Sequence, residues 1–259
     1  MVLFWKFLGF GCATALLAAA SFPSLVEGST RSALRDVVRM CVANYSLTGN
    51  AFPCLSVALE GNAAKGWVVL RPPVGPPDTI LVPTLSIVGA EDPWLQNPEA
   101  TNYFAAAWNA RRALEDDDGV PLTAGDGAVA VNSRFARTQD QLHLHIGCLA
   151  PSVRGHLQQV AARLTAGAWT RVDRVLPGGR EIWLLRTGST DAAAVQPFQR
   201  VAEIAADGQK MERMLIALAT APVEDRNEFF VIAARTIPGV GPNAEDMVRP
   251  RCARLAQAQ

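Results

Sequence analysis

The sequence has no excess of charge of either sign, and this limits the partners that it can hold. Its 259 residues contain 24 Lys and Arg and 24 Asp and Glu, so the formal net charge is zero at pH 7. Nucleic-acid-binding proteins depend on a basic surface, and electrostatic membrane binding depends on a polybasic segment. The sequence shows neither pattern. We therefore expect no nucleic-acid partner, and we expect any ligand to be held in a local site.

The chain is also poor in histidine, which restricts metal chemistry. It has 3 His, and no Cys-x-x-Cys pair or Cys/His zinc spacing occurs. His143 and His145 stand two positions apart in the apolar run "QLHLHIGC", and His156 follows. A metal site would need at least a third ligand, and the acidic run at 115–118 is typical of a solvated helix end. The sequence therefore predicts no metal and no cofactor, with a metal site as the alternative.

The N-terminus differs from the rest of the chain. Lys6 is followed by "FLGFGCATALLAAA" and then Ser21, and a charged start, an apolar stretch and an A-x-A site are the pattern of an export signal. Residues 7–26 are about twenty mostly apolar residues, enough to span a bilayer. We expect residues 1–28 to be a signal peptide or an N-terminal membrane anchor, and residues 29–259 to form a single exported domain.

Cysteine usage agrees with export, because disulfides persist in oxidising compartments. Setting aside Cys12 in the leader, four cysteines remain: Cys41, Cys54, Cys148 and Cys252. They allow three connectivities. We favour the short Cys41–Cys54 loop, which leaves Cys148 to pair with Cys252; the alternative is buried free thiols.

Hydrophobic periodicity predicts an α+β fold. Apolar residues at helical spacing predict helices at 31–45, 98–118 and 153–167 and an interrupted helical region at 197–220. β-rich runs predict strands at 65–70, 79–87, 128–133, 141–149, 180–187 and 228–237. This order indicates an antiparallel sheet with packed helices, extended by a C-terminal α/β segment. The second half is expected to echo the first as a weak structural repeat, without a sequence repeat.

The histidine strand carries the strongest functional signal. Strand alternation puts Gln141, His143 and His145 on one, more open face, and the apolar residues between them on the core face. The segment ahead of this strand is rich in amide, hydroxyl and guanidinium donors, which are Asn132, Ser133, Arg134, Arg137, Thr138 and Gln139. Phosphoryl oxygens accept from such donors. The pattern predicts a phosphate-binding site built around two imidazoles.

Four segments together resemble a known family: "KGWVVL", "TILVPTLSIVGAEDP", "AVAVNSRFARTQDQLHLHIGC" and "PSVRGHL". They are similar to the CDP-diacylglycerol pyrophosphatases, membrane-associated bacterial enzymes of the histidine-triad-like superfamily. The superfamily pattern is three alternating histidines on a strand, with the middle one as nucleophile. Gln141 takes the first place here, His143 the middle and His145 the third. The glutamine is a departure from the triad.

The resemblance implies a histidine-triad-like antiparallel sheet in a single catalytic domain at 29–259. It implies hydrolysis of CDP-diacylglycerol to CMP and phosphatidate, through a nucleotidyl intermediate on His143 and with His145 as a second catalytic residue. It implies substrate contacts from the donor-rich segment before the strand and from the first place of the triad pattern. These residues are Asn132, Arg134, Arg137, Thr138, Gln139 and Gln141. It also implies attachment to the bacterial inner membrane by the N-terminal anchor, facing the periplasm; a cleaved signal would give a soluble periplasmic protein.

Two other functions remain open at this point. One is a hydrolase of the same superfamily that acts on a soluble nucleotide pyrophosphate. The other is an exported protein that binds a phosphorylated ligand without turnover.

Overall fold

Antiparallel strands dominate the fold. The structure is a computed structural model, and it describes residues 22–59, 61–72, 78–113, 125, 127–172, 182–205 and 211–249. The strands are β1 Ser56–Ala58, β2 Trp67–Leu70, β3 Thr79–Pro83, β4 Gly127–Val131, β5 Leu144–Leu149, β6 Trp169–Val172, β7 Ile182–Arg186, β8 Met214–Val223, β9 Arg226–Arg235 and β10 Val248–Arg249. The helices are α1 Phe22–Thr48, α2 Tyr103–Ala110, α3 Pro151–Val160, α4 Pro197–Ala202 and α5 Ala244–Met247.

All ten strands join one sheet, in the order β1-β2-β3-β5-β4-β8-β9-β7-β6, with β10 on β5. The two halves of this order match. Across the sheet, the first half runs β2-β3-β5-β4, so its fourth strand in the sequence lies between its second and third. Read from the opposite edge, the second half runs β6-β7-β9-β8, which is the same arrangement. The halves meet where β4 pairs antiparallel with β8, with Ala128 opposite Ala219. The predicted C-terminal α/β segment is therefore the second half of a single sheet.

Helices cover both faces of the sheet. On one face, α2 and α4 pack against a core that includes Leu144 and Ile146 of β5 and Phe229 and Val231 of β9. On the other face, α3 and α5 contribute to a second core, which contains Phe230 and other residues of β8 and β9. Helix α1 covers β2 and β3 on that same face of the first half. The apolar alternation of each strand thus matches a helix layer on each side.

Only the first half carries imidazoles on its fourth strand. In β5, His145 points away from the core that holds Leu144 and Ile146. The matching strand β9 presents Phe230 and Ile232 on that side, buried against α3. The described part of the second half therefore repeats the topology without the polar side chains, and we place the chemistry in the first half.

Several predicted elements are confirmed and some are wrong. The strand predicted at 141–149 begins at Leu144, so Gln141 and His143 precede it. The helical region at 197–220 is wrong beyond α4, because Met214–Val223 is the central strand β8. Its run "MLIALA" is apolar on both faces, and such a run fits a buried strand as well as a helix. The short strands β1, β6 and β10 were not predicted.

Helix α1 begins at Phe22, so residues 22–28, which were predicted as the end of the leader, are helical. Residues 1–21 lie outside the described part of the chain, as do the acidic run at 115–118 and Cys252. Among the described helices, none is long and apolar enough to span a bilayer.

The Cys41–Cys54 disulfide is confirmed and ties the C-terminal part of α1 to the start of β1, across 13 positions. Both cysteines are buried beside Val68 and Val82 in the core beneath α1. Cys148 is also disulfide-bonded. Its partner is outside the described residues, so pairing with Cys252 stays a prediction.

Replacing Cys41 and Cys54 together by Ala should lower the free energy of unfolding by about 3 kcal/mol, because a loop of this length is then unconstrained in the unfolded chain. Urea unfolding of the protein, followed by circular dichroism, measures the change. An unfolding free energy equal to that of the wild type would contradict it.

Candidate active site

A cavity of about 450 Å³ opens between α1, the β2–β3 edge and the segment that leads into β5. One end is polar and contains both imidazoles; it is lined by Asp78, Asn132, Thr138, Gln139, His143, His145 and Glu245. The other wall is apolar and is formed by Ala33, Leu34, Val37, Leu70, Pro72, Ile80 and Ala136. A pocket of this size with a few convergent polar groups is the usual form of a small-ligand site.

His143 is held in one tautomer by the backbone. Its Nδ1 lies 2.8 Å from the carbonyl oxygen of Gln141. A carbonyl can only accept, so Nδ1 carries the proton and Nε2 keeps a lone pair. Burial, followed by the neighbouring His145, lowers the pKa of His143 to about 4. The imidazole is therefore neutral at pH 7, which is the form a nucleophile requires.

The two imidazoles are neighbours but have different partners. Their ring centroids are 5.2 Å apart. His145 Nδ1 lies 3.2 Å from Oδ2 of the buried Asp78, and its Nε2 is buried with no hydrogen-bond partner among the described residues. Glu245 Oε1 lies 3.8 Å from this Nε2, too far for a hydrogen bond. His145 is thus oriented by Asp78 and directs Nε2 toward the polar end of the cavity.

The expectation that the histidines lie on an open face was wrong. His143 is 8% exposed and His145 is 6% exposed. The outer face of β5 is covered because α1 packs on β2 and β3 and α5 from the C-terminal end packs on β4 and β5. Neither covering helix could be placed on this strand from local sequence alone.

Among the described residues, one group could hold a metal ion, and it consists of Asp78, His145 and Glu245. One ligand atom of each lies within 4.8 Å of those of the other two. Asp78 faces Nδ1, however, so an ion bound at Nε2 would have only His145 and Glu245 as direct ligands. Asp78 would then act as the supporting carboxylate, and protein zinc sites use at least three direct ligands. His156 lies on α3 and does not line the cavity.

Three of the predicted donors line the cavity. Asn132 is buried, accepts from the backbone N–H of Ala244 at 2.7 Å and donates to Glu245 Oε2 at 3.3 Å. Thr138 is exposed at the cavity. Gln139 also lines it, and its Oε1 accepts from the N–H of Leu34 at 3.0 Å.

The two predicted arginines do not line this cavity. Arg134 is exposed and forms an ion pair with Glu212 at 2.9 Å. Arg137 is buried between Glu91, at 2.7 Å, and Asp140, at 3.3 Å. Its positive charge is close enough to His143 to lower that pKa. Glu91 and Glu212 come from distant parts of the chain, so the sequence indicated these two donors without indicating the carboxylates that pair with them.

Gln141 acts through both its side chain and its backbone. Its Nε2 donates to the carbonyls of Pro83, at 3.0 Å, and Leu85, at 2.9 Å. Its Oε1 accepts from Arg35 Nε at 3.2 Å. An amide offers two N–H donors and an acceptor on one group, whereas a neutral imidazole offers one donor and one acceptor. The glutamine therefore fits a site where one side chain must donate to two carbonyls and accept from a guanidinium.

Helix α1 fixes the segment that precedes the histidines. Arg31 binds both carboxylate oxygens of Asp140, at 2.8 and 2.7 Å, and this hydrogen bonding is the main reason that the pKa of Asp140 falls to about 2. Arg35 Nη2 donates to the backbone carbonyl of Asp140 at 2.8 Å. We had assigned no role to Arg31, Arg35, Asp78 or Glu245 from the sequence. Only the "RSALR" spacing, which puts both arginines on one helix face, could have indicated the first two.

Comparison with known proteins identifies the relatives of this chain. A family model described as CDP-diacylglycerol pyrophosphatase matches residues 29–255. A protein named CDP-diacylglycerol pyrophosphatase from Yersinia pestis is 32% identical over 214 residues, which is 81% of this chain and 80% of the relative. The family match spans both halves of the sheet.

The state of His143 can be tested by titration. Because burial lowers the pKa of His143 to about 4, its imidazole should stay neutral as pH falls from 8 to 5 and take up a proton only near pH 4. Carbon NMR of histidine-labelled protein, assigned with His143→Asn, measures this. A midpoint near the ordinary 6.5 would contradict the buried, neutral imidazole.

Proposed function

The chain belongs to the CDP-diacylglycerol pyrophosphatase family, and we propose that its cavity cleaves the pyrophosphate with His143 as nucleophile. The chain hydrolyses CDP-diacylglycerol, a reaction of phospholipid metabolism. The observation that carries the proposed site is the fixed tautomer of His143, with Nδ1–H on the Gln141 carbonyl and a neutral ring that lines the cavity.

In the first step, Nε2 of His143 attacks the phosphorus that bears cytidine. The new P–N bond forms as the P–O bond to phosphatidate breaks, and the electron pair leaves with the phosphatidate oxygen. Phosphatidate is a phosphate monoester with a second pKa of about 6, so it leaves with little protonation at neutral pH. This step needs no strong general acid. The backbone carbonyl of Gln141 stabilises the positive charge that develops on the imidazole.

In the second step, water attacks the CMP–His143 phosphorus and releases CMP. Asn132, Thr138 and Gln139 line the same cavity and carry N–H or O–H groups that can donate to the phosphoryl oxygens. His145 also lines it, and because its Nδ1 faces the Asp78 carboxylate, it can donate to these oxygens through Nε2 when both ring nitrogens carry a proton. Arg134 and Arg137, whose guanidinium groups pair with carboxylates, support the segment from outside the cavity. Gln141 acts through His143.

We assign the catalytic domain, residues 29–259, to the histidine-triad-like superfamily. The support is the pair of imidazoles two positions apart at the start of a central antiparallel strand, and the backbone carbonyl at the first triad place that holds the middle imidazole. In this assignment the first histidine is replaced by Gln141.

We also propose that the N-terminal segment anchors the protein in the bacterial inner membrane, with the catalytic domain in the periplasm. The leader sequence, the Cys41–Cys54 disulfide and the lipid substrate support this location. Ala33 lines the cavity and follows the start of α1 by eleven residues, about 16 Å of helix. An anchor ahead of α1 would thus hold the cavity close to the bilayer; cleavage at the A-x-A site would instead release a soluble periplasmic enzyme.

The nucleophile is tested with CDP-diacylglycerol labelled in the cytidine-side phosphate. Rapid quenching of the wild type should trap acid-labile label on the protein, and His143→Ala should trap none and lose turnover by at least about 10³-fold. His156→Ala, outside the cavity, is the matched control and should retain both.

Equal labelling of wild type and His143→Ala would exclude His143 as nucleophile. If the activity toward a soluble nucleotide pyrophosphate equalled that toward CDP-diacylglycerol, the alternative of a soluble-nucleotide hydrolase would be favoured. Ligand binding without turnover by the wild type would favour the non-catalytic binding protein.

Arg35 is a positioning residue in this mechanism, because it holds the side chain of Gln141, whose carbonyl holds His143. Arg35→Met should lower kcat on the order of 10-fold, as expected when a reacting group is misplaced, with little change in KM. Arg39→Met is the matched control on the same helix, because Arg39 pairs with Asp36 alone among the described residues, at an exposed site. A rise in KM with kcat unchanged would contradict this positioning role of Arg35.

A further inference from the structure

Glu245 is a carboxylate in the cavity that the mechanism above does not use. We propose that Glu245 is the general base that activates the water attacking the CMP–His143 intermediate. This inference rests on the proposed nucleophile and assigns the second half of the reaction to a residue of the C-terminal helix α5.

The first support is the position of the carboxylate. Glu245 lines the cavity together with His143 and His145. Its Oε2 accepts from Asn132 Nδ2 at 3.3 Å. Its Oε1 is 3.8 Å from His145 Nε2, and a water oxygen can hydrogen-bond to two atoms at that separation. One oxygen is thus fixed and the other faces the polar end of the cavity.

The second support is that its backbone is fixed. The N–H of Ala244 donates to Asn132 Oδ1 at 2.7 Å. At the start of α5, the side chains of Asn243 and Asp246 each accept from the other's backbone N–H, at 2.9 and 3.0 Å. The same asparagine, Asn132, therefore contacts α5 at both its backbone and the Glu245 side chain. This holds the carboxylate at the cavity.

The third support is elimination among the described carboxylates near the histidines. Asp78 is buried and bound to His145 Nδ1. Glu91 pairs with Arg137, and Asp140 pairs with Arg31 and Arg137. Glu245 lies on the cavity with hydrogen bonding only from the neutral amide of Asn132 among the contacts described for it. A base must be a carboxylate that can take up a proton, and a tight arginine pair opposes that.

The chemistry balances with one proton transfer. The water oxygen forms a bond to phosphorus while one of its protons passes to Glu245. The P–N bond to His143 breaks, and its electron pair returns to Nε2, which regenerates the neutral imidazole. CMP then leaves, and Glu245 returns the proton to solvent. The first step requires no such base, because His143 attacks with a lone pair that is already free.

The test separates the two steps in the full chain. CDP-diacylglycerol with label in the cytidine-side phosphate is mixed with Glu245→Gln protein and quenched at times from milliseconds to minutes. We expect phosphatidate to be released in a burst close to one per enzyme, at the wild-type rate. The labelled CMP–enzyme should then decay about 10²-fold more slowly than in the wild type, the usual loss for a general base.

Glu203→Gln is the matched control. It removes one carboxylate charge at an exposed site that pairs with Arg200 outside the cavity, and it should leave both steps unchanged. The burst itself reports a folded active site in Glu245→Gln, so slow decay after a normal burst is a loss that general destabilisation does not produce.

Three outcomes would overturn the inference. Decay of the labelled intermediate at the wild-type rate removes Glu245 from the water step. Slowing of the burst itself, without accumulation of label, assigns Glu245 to binding or structure. Loss of the decay step in the wild type on treatment with a chelator assigns water activation to a metal ion at His145 and Glu245. Turnover without any labelled protein in the wild type would instead overturn His143 as nucleophile.

Discussion

The hydrogen bond from His143 Nδ1 to the carbonyl of Gln141 is the contact on which the rest of the site depends. It sets the tautomer of a buried ring, and the tautomer decides which nitrogen has a free lone pair. A carbonyl two residues away could rotate, so the bond is useful only if Gln141 is itself immobile. The protein achieves this with the carbonyls of Pro83, at the end of β3, and of Leu85, just beyond it, and with Arg35 on α1. The side-chain amide of Gln141 thus fixes the residue whose backbone carbonyl orients His143, and it offers more hydrogen-bonding groups for this than an imidazole would.

The doubled sheet explains why the site occurs in one half. Both halves place their fourth strand between the second and third. In the second half, this position is filled by apolar side chains beneath α3, and it contributes stability to the sheet through β8 and β9. In the first half, α1 leaves a cavity above β5. The unfavourable burial of the two imidazoles is offset by the large apolar core around β5.

The sequence predicted what depends on local pattern. Alternation around Leu144 and Ile146 identified the core face of β5, and the spacing of apolar residues identified α1 and α2. It failed where long-range pairing decides the outcome. Strand β8 was mistaken for helix because an apolar run has no diagnostic period. Glu91 and Glu212, which neutralise the two predicted arginines, lie 46 and 78 positions from them, and no spacing rule connects such residues.

The arrangement of charge has a consequence for turnover. None of the described residues that line the cavity is Lys or Arg, although the proposed function places a diphosphate at its polar end. Strong cationic contacts would bind the substrate and both phosphate-containing products alike, and binding that is equal in ground state and transition state does not raise kcat. Neutral amides, a hydroxyl and imidazoles bind the substrate ground state less tightly than cationic groups would. Their hydrogen bonds strengthen as charge develops on the phosphoryl group in the transition state. Arg137, which is buried and does not line the cavity, adds to the lowering of the His143 pKa after burial and His145. Arg137 thereby favours the reactive form of the proposed nucleophile without retaining the products.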